Sequence, residues 1–246
     1  MKVFCSQRDL ESSLNVVNKA ISSNNTLPVL NNILVKAEGK KLYFSATNLE
    51  IAISCYIEAD VRAEGAITVP AKLITSYVSL LSDEKVELNI AEGLTLMVKS
   101  TTSTTKIKGI SSDEFPLIPK VDSEHSFSIA TGVFDSAISE TVFAASTNIS
   151  RPVLAGVYFL VNGGEMKMVA TDSYRLAEKK IVLDNKIDGS FSCIVPAKTI
   201  IELGKITNKS EAKEVFVNIS KNQALFKIGD VELVTRLIEG KFPEYE

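Results

Sequence analysis

The chain has 246 residues, 45% hydrophobic and 23% charged, with a formal net charge of −3. These ordinary globular proportions exclude a disordered chain and, at this length, allow one to two domains. Residues 1–123 hold 13 Lys/Arg against 14 Asp/Glu and residues 124–246 hold 14 against 16, so neither half is a basic nucleic-acid domain by bulk charge.

A short strand is predicted at Val3–Cys5, leading into an amphipathic helix. In it Leu10, Leu14, Val17 and Ile21 recur at helical spacing, among Arg8, Glu11, Ser12, Asn15, Asn18 and Lys19. A strand over Val29–Lys36, a Glu38-Gly39-Lys40 turn and a returning strand Leu42–Ala46 follow, then one long strand over Leu49–Val61. A further short strand delivers the chain to Val69-Pro70-Ala71-Lys72. Proline has a fixed φ and lacks the amide that a helix's first turn leaves unpaired, so Pro70 predicts a helix start. The apolar face of that helix reads as Leu73, Tyr77 and Leu80/Leu81, and three strands follow near 85–91, 95–100 and 104–110.

The same order then recurs. Pro28-Val29-Leu30 returns as Pro152-Val153-Leu154 and Ala46-Thr47-Asn48 as Ala170-Thr171-Asp172, both at an offset of 124. Val-Pro-Ala-Lys returns at 195–198 and Glu114-Phe115-Pro116 as Lys241-Phe242-Pro243, at offsets of 126 and 127. Self-similarity in fixed order marks repeated architecture, and each copy is long enough to own a core. The second copy reads as a strand Phe127–Ile129 and a helix carrying Phe134, Ile138, Val142 and Ala145, with Asp135, Ser139 and Glu140 facing away. Strands Val153–Val161 and Met166–Ala170 flank an Asn162-Gly163-Gly164 turn, and a strand Ser173–Leu183 follows. A second helix carries Ile200, Leu203 and Ile206, and strands near 214–219, 223–228 and 231–238 close the copy. The expected fold is α+β, tandem pseudo-repeated domains over 1–120 and 125–246 with a linker at 121–124. Each has two helices on a surface of about eight strands.

Catalytic signals are weak. The single histidine, His125, sits beside the linker and reads as surface decoration. The twelve glycines sit singly or in hairpin turns, and no phosphate loop is present. Asp83-Glu84 and Glu211/Glu214 read as solvated carboxylates, and Cys193 as a buried strand cysteine. Cys5, Cys55 and Cys193 are odd in number without CxxC spacing, which predicts neither a disulfide scaffold nor a zinc site. The N-terminus lacks a signal peptide's apolar stretch, and no apolar run approaches the roughly 20 residues of a membrane span, so a soluble cytoplasmic protein is expected. No catalysis and no cofactor are expected.

The copies differ most where Thr47-Asn48-Leu49-Glu50-Ile51-Ala52 meets Thr171-Asp172-Ser173-Tyr174-Arg175-Leu176. This segment reads as a strand start that has gained a tyrosine, an arginine and a leucine, residue types suited to a partner site. Basic residues are sparse: Arg8 and Lys19 on the first helix, Lys72 and Lys198 opening the second helices, Lys205 and Lys209 after Lys198, and Arg151 beyond the second copy's first helix. Ser12, Ser13, Asn15, Ser76, Ser79, Ser139 and Thr147 accompany them on faces expected to be polar.

Thr26-Leu27-Pro28-Val29-Leu30-Asn31-Asn32-Ile33-Leu34, the two Val-Pro-Ala-Lys helix starts, Ala170–Ala177 and Gly240-Lys241-Phe242-Pro243-Glu244-Tyr245 resemble the bacterial DNA polymerase III beta subunit, the sliding clamp. The resemblance covers essentially the whole chain. It implies a DNA-clamp fold whose helices line a pore, and a non-enzymatic role tethering the replicative polymerase, clamp loader and repair proteins to duplex DNA through short linear motifs. The partner cleft it implies comprises Leu154, Thr171, Ser173, Tyr174, Arg175, Leu176 and Pro243, and the basic residues above would face DNA. Ser173-Tyr174 stands where Gly-His is more usual, Asn24-Asn25 where a basic residue commonly precedes Thr-Leu-Pro, and Pro152-Val153 where an aromatic pair is often found. The family has three such domains per subunit and forms a homodimeric ring. The third is expected to be absent here, with no ring closed by this chain alone. The competing expectation is a duplicated α+β protein-binding module without a DNA role.

Overall fold

The computed structural model describes residues 1–22, 27–82, 85–122, 124–148, 150–183, 187 and 189–245, and the chain divides into two units, Met1–Ile118 and Pro119–Glu246. Asn24-Asn25, Thr26 and the Asp83-Glu84 pair lie outside the described residues.

Unit 1 runs β1 (Lys2–Ser6), α1 (Gln7–Val17), β2 (Asn32–Glu38), β3 (Lys41–Thr47), β4 (Ile51–Glu58), β5 (Asp60–Ala63), β6 (Gly65–Pro70), α2 (Ala71–Val78), β7 (Lys85–Ala91), β8 (Thr95–Lys99) and β9 (Thr104–Lys108). The strands lie side by side in the orders β5-β1-β7-β8-β9 and β4-β3-β2-β6, with antiparallel neighbours. Helix α1 starts where Ser6 Oγ accepts the Asp9 N–H at 3.4 Å, an N-cap that satisfies a free first-turn donor. It buries Leu10, Leu14 and Val17, while Ile21 falls beyond its end.

The two strand layers of unit 1 are joined by one buried polar node. Thr68 and Ile110 exchange backbone hydrogen bonds of 3.0 and 2.9 Å. The Thr68 hydroxyl accepts from Asn32 Nδ2 and donates to the Ile110 carbonyl, both at 3.1 Å. Thr68 and Asn32 are almost wholly buried, so each needs these partners to offset the loss of water.

Unit 2 repeats the plan as β10 (His125–Ala130), α3 (Thr131–Thr141), β11 (Gly156–Asn162), β12 (Glu165–Thr171), β13 (Leu176–Val182), β14 (Ser190–Pro196), α4 (Ala197–Thr207), β15 (Glu214–Ile219), β16 (Gln223–Ile228) and β17 (Val231–Arg236). Its strand orders are β10-β15-β16-β17 and β13-β12-β11-β14. Phe134 of α3, Phe159 of β11 and Phe226 of β16 are fully buried, and the Phe226 ring lies 6.2 Å from Phe134 and 6.5 Å from Phe159. One aromatic cluster therefore joins the first helix to both strand layers. Among the described residues the units hold nine and eight strands, the added one being β5.

Several expected elements are corrected. Leu73 and Leu80 are exposed, and α2 buries Ala71, Ile74 and Val78 instead. Both stripes have helical spacing. The buried Val69 and the β6–α2 junction at Pro70 set the helix phase and turn the smaller stripe inward. The long strand Leu49–Val61 is two strands, β4 and β5, preceded by a turn, and Ser173–Leu183 is a turn followed by β13. Pro28–Asn31 and Pro152–Ala155 are single 3₁₀ turns that precede β2 and β11. His125 is no surface ornament: it opens β10 and stacks on Phe191 with centroids 4.1 Å apart and rings 4° from parallel. Ser13, read as part of a polar face, is buried.

Candidate partner-binding surface

The segment Thr171–Leu176 joins β12 to β13 as a tight turn wired by two side chains. Thr171 Oγ1 donates to the Arg175 carbonyl at 2.7 Å and accepts the Ser173 N–H at 3.1 Å. The Asp172 carboxylate accepts the N–H groups of Tyr174 and Arg175, each at 3.0 Å, and receives Arg175 Nε at 3.0 Å. Those backbone donors, ahead of the guanidinium, hold the Asp172 pKa below the ordinary carboxylate value.

The first copy builds the same turn. Thr47 Oγ1 donates to the Ile51 carbonyl at 2.9 Å and accepts the Leu49 N–H at 3.0 Å, and Asn48 Oδ1 accepts from Glu50 and Ile51 at 3.0 and 2.9 Å. Leu49 has φ +74° and Ser173 φ +78°. The backbone scaffold is shared and the copies diverge only in what it displays. Ile51 and Ala52 are buried where the matched Arg175 and Leu176 are exposed, and Tyr174, 98% exposed, stands where the first turn has the exposed Glu50. A non-glycine residue at positive φ costs about 1–2 kcal/mol. Ser173→Gly should therefore stabilise the turn by about 1 kcal/mol after the greater freedom of glycine in the unfolded chain is counted. A rise in denaturant midpoint checks this; a fall would show that the serine side chain contributes more than its backbone costs.

The predicted partner residues fall into two places. Tyr174 and Arg175 line a depression of about 290 Å³ with Asp172, Arg151 and the Ala145–Asn148 loop. Leu154 lies 7% exposed, and its carbonyl accepts the Ser146 N–H at 2.8 Å, which fixes that loop. Pro243 instead lines a larger groove of about 890 Å³, with Tyr158, Leu160, Ile194 and Phe242. Phe242 stacks on Tyr158 at 4.8 Å, and Tyr245 donates its hydroxyl to Glu178 at 2.8 Å, so the C-terminal segment is strapped across β11, β12 and β13. Sequence reasoning missed Phe143, 56% exposed with its ring centroid 5.8 Å from the Arg175 guanidinium. A phenylalanine at the end of a helical stripe gave no signal of that cation–π contact. Arg151, expected to face DNA, lies with the turn.

Of the remaining basic residues, Arg8, Lys72, Lys198 and Lys209 are exposed on or just after helices, Lys19 is half-buried, and Lys205 is paired with Glu202 at 2.7 Å. Helix α3 carries no cation, and each of its two acids has a side-chain partner. Asp135 accepts a hydrogen bond from Thr207, and Glu140 is paired with Lys179 at 2.8 Å, which lowers its pKa chiefly through that hydrogen bond. Burial pushes the Cys5 and Cys193 thiols up to about 12, so neither is a ready nucleophile. Glu211 and Glu214 are exposed. Among the described residues no group of His, Cys, Asp or Glu could hold a metal ion, and no helix is long and apolar enough to cross a membrane.

Family models of the DNA polymerase III beta subunit match the chain, the N-terminal domain over residues 1–119 and the central domain over residues 128–244. The beta sliding clamp of Halalkalibacterium halodurans is 32% identical over 251 residues, spanning 98% of this chain and 66% of the relative. That of Staphylococcus aureus strain N315 is 32% identical over 253 residues, spanning 99% and 67%. The crystal structure of the Bacillus subtilis sliding clamp superposes with a TM-score of 0.95 at 30% identity, over 99% of this chain and 66% of that one. The Pseudomonas aeruginosa clamp bound to griselimycin gives 0.94 at 28% identity, over 100% and 66%. The chain thus spans about two thirds of the length of the curated relatives it matches.

Proposed function

Because the chain belongs to the DNA polymerase III beta subunit family, the sliding clamps, we propose that it acts in the cytoplasm as part of a non-catalytic clamp that encircles duplex DNA. It tethers the replicative polymerase, clamp loader and repair proteins through short linear motifs. The observation that carries the partner site is the pair of identically wired turns. Only the second displays a tyrosine, an arginine and a leucine, Tyr174, Arg175 and Leu176, to solvent. Aromatic and arginine side chains on a rigid frame bury large area at low ordering cost, which is what a binding surface requires.

The charge pattern suits a clamp. A protein held on DNA by topology needs few phosphate contacts, since each contact releases counterions, adds affinity and slows sliding. Arg8, Lys72, Lys198 and Lys209 supply a thin scatter of exposed cations, and one of the two acids of α3, Glu140, is paired with Lys179. The high thiol pKa values, the stacked His125 and the solvated Glu211 and Glu214 support a role without chemistry of its own.

Titration of a labelled peptide carrying a leucine–phenylalanine anchor tests the partner site. Leu176→Ala should weaken binding about tenfold, the loss expected when a half-exposed leucine no longer closes over the peptide. Glu50→Ala, at the equivalent of Tyr174 in the first turn, should leave affinity unchanged. Equal losses in both variants, or none in Leu176→Ala, would remove the partner site from this turn.

A further inference from the structure

The sheet β5-β1-β7-β8-β9 of the first unit turns a strongly basic face away from the core. Its strands bury Val3, Val86, Leu88, Leu96, Val98 and Ile107, so alternation places the charged residues on the other side. The five strands carry six cations, Lys2, Arg62, Lys85, Lys99, Lys106 and Lys108, and two acids, Asp60 and Glu87, a net of +4. The chain as a whole is −3, so all its other residues together carry −7. The matching strands β10, β15, β16 and β17 hold Lys227 and Arg236 against Glu214 and Glu232, a net of 0, so the fold does not require the excess. Charge on a sheet edge discourages unwanted pairing, which accounts for Lys106 and Lys108 on the edge strand β9. It does not account for Lys2, Lys85 and Lys99, which stand on the interior strands β1, β7 and β8.

The acids do not neutralise this face. Arg62 pairs with Asp60 at 2.8 Å and Lys2 with Glu87 at 3.2 Å, while Lys108 donates to the Gly93 carbonyl at 3.1 Å. Lys85, Lys99 and Lys106 are exposed and have no carboxylate partner among the described residues. Register sets Lys106, Met97, Asn89 and Lys2 in one row across the strands and Lys99, Glu87 and Phe4 in the next. A half-buried methionine thus lies among unpaired lysines. We propose that this face is a second interaction surface, separate from the turn of the second unit, whose partner is an acidic protein segment with an apolar side chain. Its carboxylates meet Lys85, Lys99 and Lys106, and its apolar side chain covers the adaptable Met97. Nucleic acid fits less well. Phe4 is the only aromatic residue of these strands, and the Lys2 and Lys85 ammonium groups, 5.7 and 5.3 Å from its centroid, already engage the π-face a base would stack on. Glu87 lies among the cations, where a peptide can set an uncharged residue over it, whereas a nucleic-acid strand carries a charge on every nucleotide.

The test titrates the full chain, by anisotropy, against a short labelled peptide with glutamate at alternate positions and one central leucine. Companion probes replace every glutamate by glutamine, replace the leucine by alanine, or substitute a single-stranded DNA of similar length. The acidic peptide should bind the unaltered chain and lose about tenfold in affinity when Lys99→Gln and Lys106→Gln are combined, since each exposed ion pair contributes at most about fivefold. Lys227→Gln combined with Arg236→Gln, on the matching strands of the second unit, should change little. The glutamine peptide should not bind, and Met97→Ala should weaken the leucine peptide more than the alanine one. Absence of saturable binding up to about 1 mM acidic peptide overturns the proposal. Equal loss in the two double variants overturns it as well, because the effect is then one of general charge. Met97→Ala that weakens both peptides equally, or neither, removes the apolar contact. Tighter binding of the DNA strand or of phosphatidylglycerol vesicles, lost with Lys99→Gln and Lys106→Gln, gives the face to a nucleic acid or a lipid surface instead. Self-association in light scattering that the same substitutions abolish makes the occupant a second copy of the chain, which likewise rejects the acidic segment.

Discussion

A Phe226→Ala chain should lose about 3–5 kcal/mol of stability in its second unit, the cost of deleting a large buried aromatic. Phe226 is fully buried on β16, and its ring contacts Phe134 from α3 and Phe159 from β11. Truncation removes apolar burial and opens a cavity that three different elements would have to collapse together to fill. The chain has no tryptophan, so tyrosine emission or circular dichroism during urea titration is the measurement. Phe143→Ala, removing a ring that is 56% exposed, is the comparison. If both variants unfold at the same urea concentration, the aromatic cluster is not the centre of this unit.

Gly109→Ala should be as damaging to the first unit, by about 3 kcal/mol or more, through overpacking. A Cβ at this position would lie 2.4 Å from the Thr68 carbonyl oxygen and 2.8 Å from side-chain carbons of Ile67. The obstructing atom is backbone, so no rotamer change relieves it. Retreat is blocked as well, because the Gly109 amide donates to Leu94 at 2.8 Å and the next residue makes both bonds to Thr68. The clash falls on the Asn32–Thr68–Ile110 node, and displacement there would strand a buried amide and hydroxyl. Gly39→Ala, at φ +61° with nothing within 4 Å, isolates the backbone cost of about 1 kcal/mol. A thermal melt in which Gly39→Ala is the worse variant would refute the packing account.

The features legible in the sequence were those set by local chemistry. The duplicated Val-Pro-Ala-Lys blocks start helices α2 and α4, and Ile200, Leu203 and Ile206 face inward as their spacing requires. The phase of α2 was not legible, because Leu73/Tyr77/Leu80 and Ala71/Ile74/Val78 both have helical spacing and only the junction with β6 distinguishes them. Leu49–Glu50 and Ser173–Arg175 have the composition of strand starts but form turns. Leucine and serine seldom adopt positive φ, and the apolar run after Leu49 has strand composition throughout. A Thr-Asx pair with backbone-satisfying side chains was the available clue. For the candidate site, Thr171 to Leu176 stood out by comparing the copies. Its association with Arg151 and Phe143, and the placement of Pro243 in another groove, depend on how distant loops fold together.

The equivalence of the two turns also governs how freely each can change. Since threonine and Asx side chains hold the loop, residues between and after them can be exchanged without rebuilding the backbone. The exchange is unequal in its two directions. Arginine and leucine placed at 51 and 52 would enter buried positions, whereas isoleucine and alanine placed at 175 and 176 would enter exposed ones. Substitutions at exposed positions rarely bring a marginally stable fold to its threshold. Duplication has thus left one copy whose turn must conserve its interior and another whose turn can drift in sequence. New recruits could be acquired through the second copy by single surface changes while the architecture stays fixed.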